Sequence, residues 1–424
     1  MFILQLNPAN SSTMKNIPLL LSLAAILSQG CDPPPAAQWR GPERSGIFPE
    51  TDLMENWPEE GPELLWKFEG LGRGFAAPAV TEEGIYVMGE SDGTSYLFAI
   101  GPEGKLRWKS PNGEEFLGEG FSSTYPGSRT TPAVMDGMIY AASGKGRVAC
   151  FEASTGKEIW AVQLMEELGG MLGEFGYSES PLVDAKYLYC FPGGQENNFV
   201  ALDRKNGSLA WSASVLKDTF AYGSPLLVEL PGTRAIISTS RHHIVVLDPV
   251  DGTLLSSYLL EGYEYDGEHC NTPVYSNGHI HFVANDIPGQ GSVKLNLSGD
   301  GKKLREVWRN NGVMNNFGGL LVVDDHLFTT VKGNKLVSLD PDDGTISDSI
   351  SVPTGSLAYA DGKFFCYGNN GTMTLLNHEG GRLRISGSFK VTEGSGQHFS
   401  YPVLAAGNLY IRRGNGLMAY RIRQ

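Results

Sequence analysis

The feature that most constrains this chain is a thirteen-residue phrase, Phe199 to Trp211, FVALDRKNGSLAW. Val200-Ala201-Leu202 is an apolar run of strand length. Asp203 to Gly207 supplies turn residues, and Asn206-Gly207 is the strongest short hairpin signal in it. Ser208 to Trp211 is a second strand ending in a large aromatic. A lone hairpin of this size is marginal in water, so it has to pack against others of its kind.

The chain supplies them. Val148 to Trp160 reads VACFEASTGKEIW, and Leu97 to Trp108 reads LFAIGPEGKLRW. Val245 to Thr253 and Leu336 to Thr345 carry the phrase without the Trp. In three copies Trp lies four residues past the turn glycine: Gly104 and Trp108, Gly156 and Trp160, Gly207 and Trp211. Upstream of each copy stands a small residue, a Pro and two apolar residues, then a turn and a strand that usually bears Tyr. Ala77-Pro78-Ala79-Val80 with Tyr86, Thr131-Pro132 with Tyr140, and Ser180-Pro181 with Tyr189 are examples. Thr272-Pro273, Ser224-Pro225 and Tyr401-Pro402 open further copies, while those at Gly319 and Ser356 lack the Pro. Eight units of four short strands result, with a period of about 45 residues, which marks a propeller blade.

The two ends complement each other. Leu64 to Phe68 reads as an outer, Trp-bearing strand with nothing before it, and Pro402 to Ile422 supplies three strands with nothing after them. Paired, they close the ring and remove both free edges. The expectation is an all-β, eight-bladed propeller of four-stranded antiparallel blades, monomeric, spanning 64–424. The last blade is closed by the N-terminal strand. Residues 38–63, with Gln38 to Pro42 and Trp57-Pro58, predict an ordered arm packed on the domain surface.

Residues 1–31 read as a targeting segment. Ile17 to Leu27 is too short an apolar run to span a bilayer comfortably, and Lys15 is the one positive charge before it, which points to Met14 as the start. Cys31 directly follows the run and resembles the lipidated cysteine of a bacterial lipoprotein, although Ser28 stands where such signals carry Leu. Pro33-Pro34-Pro35 would be a stiff spacer. An ordinary secretory signal is the alternative. Cys150, Cys190 and Cys366 sit in apolar strands and predict buried thiols. A Cys150–Cys190 disulfide is the alternative in an oxidising compartment, and Cys270 falls in a loop. The formal charge of −14 argues against a nucleic-acid partner and against polybasic membrane binding.

In a propeller the residues just before each inner strand ring the channel mouth. Here these are Arg73, Arg129, Tyr177, Glu179, Tyr222, His269, Asn271, Asn316, His398 and Tyr401, with Phe75, Asn315 and Ser356 beside them. The mix suits a small polar ligand, a glycan or a peptide. The competing reading is a solvated rim that satisfies backbone groups, with an Arg–Glu pair across the channel as a structural ion pair. His279 and His281 share a strand face but lack a third ligand, and His242 and His243 point to opposite faces. No HExxH or P-loop is present.

The phrase ALDxxTGxxxW and its variants resemble the pyrroloquinoline-quinone (PQQ)-type repeat. That repeat occurs in quinoprotein alcohol dehydrogenases and in the β-propeller lipoproteins of the outer-membrane barrel-assembly machinery (BamB). Gln38 to Gly46, Trp57 to Trp66, Gly72 to Val80, Gly127 to Pro132, Phe175 to Pro181 and Pro192 to Gly194 resemble a bacterial subgroup of PQQ-binding-like propellers. The resemblance implies an envelope lipoprotein that binds or scaffolds protein or peptide partners, periplasmic or surface-facing. Quinoprotein oxidoreductase activity is a further alternative. Relatives of that kind hold PQQ over Ca²⁺ against a stacking Trp under adjacent cysteines, with an Asp as base. This chain has no Cys-Cys pair, no evident carboxylate cage, and Trp residues placed in outer strands, so neither PQQ nor calcium is expected.

Overall fold

The computed structural model describes Met1 and residues 36–424 apart from 220, 261–268, 286–290, 317 and 380–381. The expected targeting segment and Cys31 lie outside the described residues. Among the described residues no helix is long and apolar enough to cross a membrane.

Eight four-stranded antiparallel sheets follow one another around a ring. Blade 1 runs from its inner strand Ala79–Val80 through Ile85–Ser91 and Thr94–Ile100 to its outer strand Leu106–Glu114. Blades 2 to 7 open on inner strands starting at Ala133, Leu182, Leu226, Val274, Leu321 and Gly355. Blade 8 takes Val403–Ala405, Asn408–Arg413 and Gly416–Arg421 from the C-terminus, and Leu64–Glu69 pairs onto the last of these, with Trp66 opposite Ala419 and Glu69 opposite Gly416. The closure expected from the two ends is therefore present.

Each blade repeats one local device. The outer strand carries a register shift at the same level in all eight blades. In the Trp-bearing blades the extra residue directly precedes the tryptophan: Leu65, Arg107, Ile159, Ala210 and Val307. One inserted residue breaks the two-residue alternation and turns the strand, so the indole meets the neighbouring sheet. Each indole N–H then donates to a turn carbonyl of the next blade: Trp66 to Pro102 (2.8 Å), Trp108 to Ala153 (3.1 Å), Trp160 to Arg204 (3.0 Å), Trp211 to Pro249 (3.1 Å) and Trp308 to Pro341 (3.0 Å). The rings lie on the turn glycines of that blade. At Gly207, with φ +75°, a Cβ would come 2.6 Å from the Trp160 ring. Glycine is thus required there twice over, for a left-handed backbone and for contact. The repeated spacing of turn glycine and Trp reflects a chain of inter-blade joints.

Apolar clusters fill the spaces between sheets. Tyr86, Met88 and Leu97 of blade 1 pack on Ile139, Ala141 and Phe151 of blade 2, for example. Cys150 and Cys190 are free thiols buried in one such cluster, and Cys366 is buried and free in another.

The arm departs from the expectation of surface packing. Ala37 bridges the inner strand of blade 2 at Val134 in antiparallel sense, and Ile47 bridges blade 7 at Tyr359 in parallel sense. The segment between them lies in the central channel as a hairpin plug. Its turn places Arg40 (φ +59°) and Arg44 (φ +54°) in the left-handed region, and both are buried. Such backbone persists only where surroundings over-determine it. Arg44 donates to the carbonyls of Ser180 (3.1 Å), Pro181 and Pro225 (2.6 Å), and to Gln38 Oε1 (2.9 Å). Arg40 donates to the carbonyls of Ser45 (2.9 Å) and Leu320. The chain then leaves along blades 7 and 8, where Leu53 pairs with Arg423 and Trp57 packs between Phe365 and Phe389. Inner-strand carbonyls need donors, and a threaded guanidinium reaches several at once.

Candidate functional site

The plug divides the channel into two mouths. On the face of the hairpin turns, a cavity of about 1120 Å³ is bounded by the arm and the inner strands of blades 1, 2 and 8. On the opposite face, where the blade-to-blade connections converge, a funnel of about 420 Å³ has Trp39 of the arm among its lining residues.

Aromatic residues dominate this funnel: Trp39, Phe75, Phe121, Tyr125, Phe175, Tyr222, Phe399 and Tyr401. Many touch one another, with centroids 5.6 Å apart for Phe75–Phe399, 5.9 Å for Tyr125–Phe399, 6.2 Å for Tyr125–Phe175 and 5.9 Å for Phe175–Tyr222. Arg129, Ser178, Ser180, Ser224, Cys270, Asn285 and Asn316 supply the polar part. Arg129 is fixed by donating to the carbonyls of Gly127 (3.1 Å) and Tyr125. Burial lowers its pKa, opposed by the nearby charge of Glu115. Glu115 is itself buried and accepts from Ser128 Oγ (2.7 Å) and from the Phe116 and Gly144 amides (2.9 and 2.6 Å).

Of the ten residues expected at the mouth, Arg129, Tyr222, Asn316 and Tyr401 line the funnel. The other six lie elsewhere. Arg73 forms a bidentate pair with Glu90 (2.5 and 2.9 Å). His398 Nδ1 meets the Tyr367 hydroxyl at 2.7 Å, and burial draws its pKa down to about 4. Tyr177 and Glu179 are buried behind the wall. Burial pushes the Glu179 carboxyl up to about 8, against the charge of Arg44, and its Oε1 accepts from the Phe191 amide at 3.2 Å. Arg129 serves backbone carbonyls, and the cation near Glu179 is Arg44. His269 is buried, with its pKa lowered to about 3 by desolvation. Asn271 knits two blades, donating to the carbonyls of Val283 (2.9 Å) and Asn315 (2.7 Å) and accepting from the Gly319 amide (3.2 Å).

His242 and His243 do not diverge as the alternation of a strand predicts. Only His243 is in the strand, and both rings turn to Asp218, with Nδ1 contacts of 2.8 and 2.9 Å. Asp218 is held down at about 2 because these hydrogen bonds and that from Ser240 outweigh its burial. Among the described residues no group of three or more His, Cys, Asp or Glu is placed to hold a metal ion.

Phe121, Tyr125, Phe175 and Phe399 were not on the sequence-derived list of mouth residues. Phe121 and Tyr125 fall in residues 115–132 and Phe175 in 164–181, the two longest connections between blades. Unusual loop length carrying aromatics was the signal available for them.

The family described as outer membrane protein assembly factor BamB matches residues 63–347. A protein of that name from Escherichia coli (strain K12) is 33% identical over 100 residues, 23% of this chain and 24% of the relative. One from Yersinia pestis is 28% identical over 138 residues, 32% of this chain and 33% of the relative. The aligned stretches thus span at most about a third of these curated relatives. Among solved structures, BamB from Moraxella catarrhalis matches 85% of this chain and 98% of its own with a TM-score of 0.60 at 13% identity. A europium-containing methanol dehydrogenase matches 90% of each chain with a TM-score of 0.67 at 12% identity. At these identities the two structures speak to the fold, which serves both an assembly factor and an enzyme. The match over two-thirds of its length, on an eight-bladed ring closed by its own N-terminal strand, makes this chain a member of the BamB-type PQQ-like propeller family.

Proposed function

We propose that the chain is a lipid-anchored protein of the bacterial cell envelope whose propeller binds and scaffolds protein or peptide partners, in the manner of an outer-membrane assembly factor. The observation that carries this reading is the funnel face. Leu117 and Phe121, Met171 and Leu216 stand exposed on three consecutive blade-to-blade connections, Phe121 at 64%. Large apolar side chains collected around a concavity are characteristic of a surface that another molecule covers. The family match supports a protein as that molecule, and the charge of −14 disfavours nucleic acid. Docking would use the funnel face, with strand addition at an outer blade edge as the second mode.

The test is a photo-crosslinking residue at Phe121 in the full chain, expressed in its own envelope. We expect a discrete crosslinked protein partner, lost when Met171→Glu and Leu216→Glu are added to the crosslinker-bearing chain and it still melts cooperatively. Absence of any partner in repeated captures defeats the reading. Membrane attachment is checked separately: Cys31→Ser should move the chain from the membrane to the soluble fraction, and an unchanged distribution refutes the anchor.

The quinoprotein reading draws no support from the donor set. Ca²⁺ takes about six to eight oxygens, carboxylates prominent among them. Among the described residues no carboxylate lines the funnel. PQQ with Ca²⁺ should therefore leave the melting temperature unchanged. A ligand at a hundred times its dissociation constant would add about 2.7 kcal/mol, and a shift of that size would reverse this assignment.

A further inference from the structure

Among the described residues, the buried groups at the funnel end of the channel hold more cation than anion. Arg40, Arg44 and Arg412 are buried at 2% exposure or less, and Arg129 lines the funnel wall. Among the described residues, the buried carboxylates that act on them are Glu115 and Glu179. In a chain of net charge −14 this local excess does not follow from composition.

Two guanidiniums matter most. The Arg40 carbon Cζ lies 5.4 Å from the Trp39 ring centroid and 5.6 Å from that of Tyr401, two rings that line the funnel. Among the described residues its Nε and Nη1 have no hydrogen-bond partner. A buried charge with unfilled donors is costly, and a nearby anion offsets that cost. Arg129 spends two donors on backbone carbonyls, which fixes its position and leaves the rest of the guanidinium for a ligand.

We propose that this funnel is a binding site for a small monoanionic aromatic acid. Its carboxylate would pair with Arg129 above the positive charge of Arg40, and its ring would lie among Phe75, Tyr125, Phe175 and Tyr222. The volume of about 420 Å³ is in the range of small-ligand pockets. The aromatic walls select a flat apolar body, and the guanidiniums select the negative head. No metal takes part, and the site stands whether or not the outer rim scaffolds a protein.

The experiment is calorimetric titration of the full chain with three probes: phenylpropionate, its neutral amide phenylpropanamide, and acetate. Phenylpropionate should bind at least about tenfold more tightly than either control, since a hydrogen bond to a charged group contributes that much or more. Arg129→Gln should bring the acid down to the level of the amide. Phe175→Ala should weaken acid and amide together. Equal binding of acid and amide, an acid preference that survives in Arg129→Gln, or no binding of the acid to folded protein overturns the site. Should Arg129→Gln fail to fold, nuclear Overhauser contacts from the ring of bound phenylpropionate decide on the wild-type chain. Contacts to the funnel aromatics sustain the proposal, and contacts elsewhere overturn it.

Discussion

The belt of blades and the channel it encloses are built on opposite principles. Around the belt one joint recurs: an indole over a left-handed turn glycine, bonded to a turn carbonyl one blade on. In the channel an amide-to-hydroxyl bond repeats from blade 2 to blade 5 (Thr131 to Ser180, Ser180 to Ser224, Ser224 to Thr272), but the element that fills the channel occurs once. One strained hairpin brings Arg40 and Arg44 against carbonyls from several blades, and loops of unequal length build the funnel. Five joints of one kind spread the closing of the ring over many similar contacts, whereas the plug concentrates it on two side chains. A repeat is therefore tolerant at its rim and exposed at its hub.

The largest effect should come from the hub. Arg44→Leu leaves the carbonyls of Ser180, Pro181 and Pro225 without their donor, a loss of about 3–5 kcal/mol. Chemical denaturation measures it, and a cost below about 1 kcal/mol would erase the contrast between hub and belt. At the belt, Trp160→Ala should cost about 3 kcal/mol or a little more in the same assay. The joint after blade 4 has no indole: Leu255 covers Gly301 and Ser256 Oγ donates to the Gly301 carbonyl at 2.7 Å. Leu255→Ala should cost about 2 kcal/mol or less, because the residue is only half buried. Equal losses at the two joints would show that the indole adds nothing special.

The third effect depends on pH. The folded chain keeps a proton on Glu179 up to about 8, while an unfolded chain releases it near the ordinary value of 4.5. Folding therefore retains a proton between those values, and stability falls as pH rises through that window, then levels above it. Glu179→Gln should flatten this slope, recovering on the order of 2–4 kcal/mol between pH 5 and pH 8. Melting curves at both pH values check it, and parallel slopes in wild type and variant would place the carboxyl elsewhere on the scale.

The belt was legible because its causes are local. Turn glycine, strand alternation and Trp spacing lie within one phrase, and its five copies, set among eight inner-strand openings, leave little freedom in blade number. The orphan strand at Leu64 and the three strands after Pro402 dictated the closure, since an unpaired edge is unfavourable. The hub was not legible because its partners are far apart in sequence. Arg44 meets Pro225, and Trp39 meets Tyr401, with no pattern in the chain to relate them. The arm read as surface because its arginines carry charge, and burial of charge is never a default expectation. Position before an inner strand was a fair guide to Arg129, Tyr222, Asn316 and Tyr401. It failed for Glu179 and Asn271, whose polar atoms turn back to serve backbone groups of their own and neighbouring blades.

Ring closure by Leu64–Glu69 also sets an order of events. This strand is made hundreds of residues before Gly416–Arg421, the partner it bonds. Contacts of such separation form late and slowly, because the loop they close is long. Until the C-terminal strands emerge, Leu64–Glu69 has no sheet to join, and the arm before it has no finished channel to enter. A chain interrupted before Pro402 would thus carry seven blades, two open edges and an unseated plug, a form suited to capture by chaperones and proteases. Completion of the last blade removes both open edges at once.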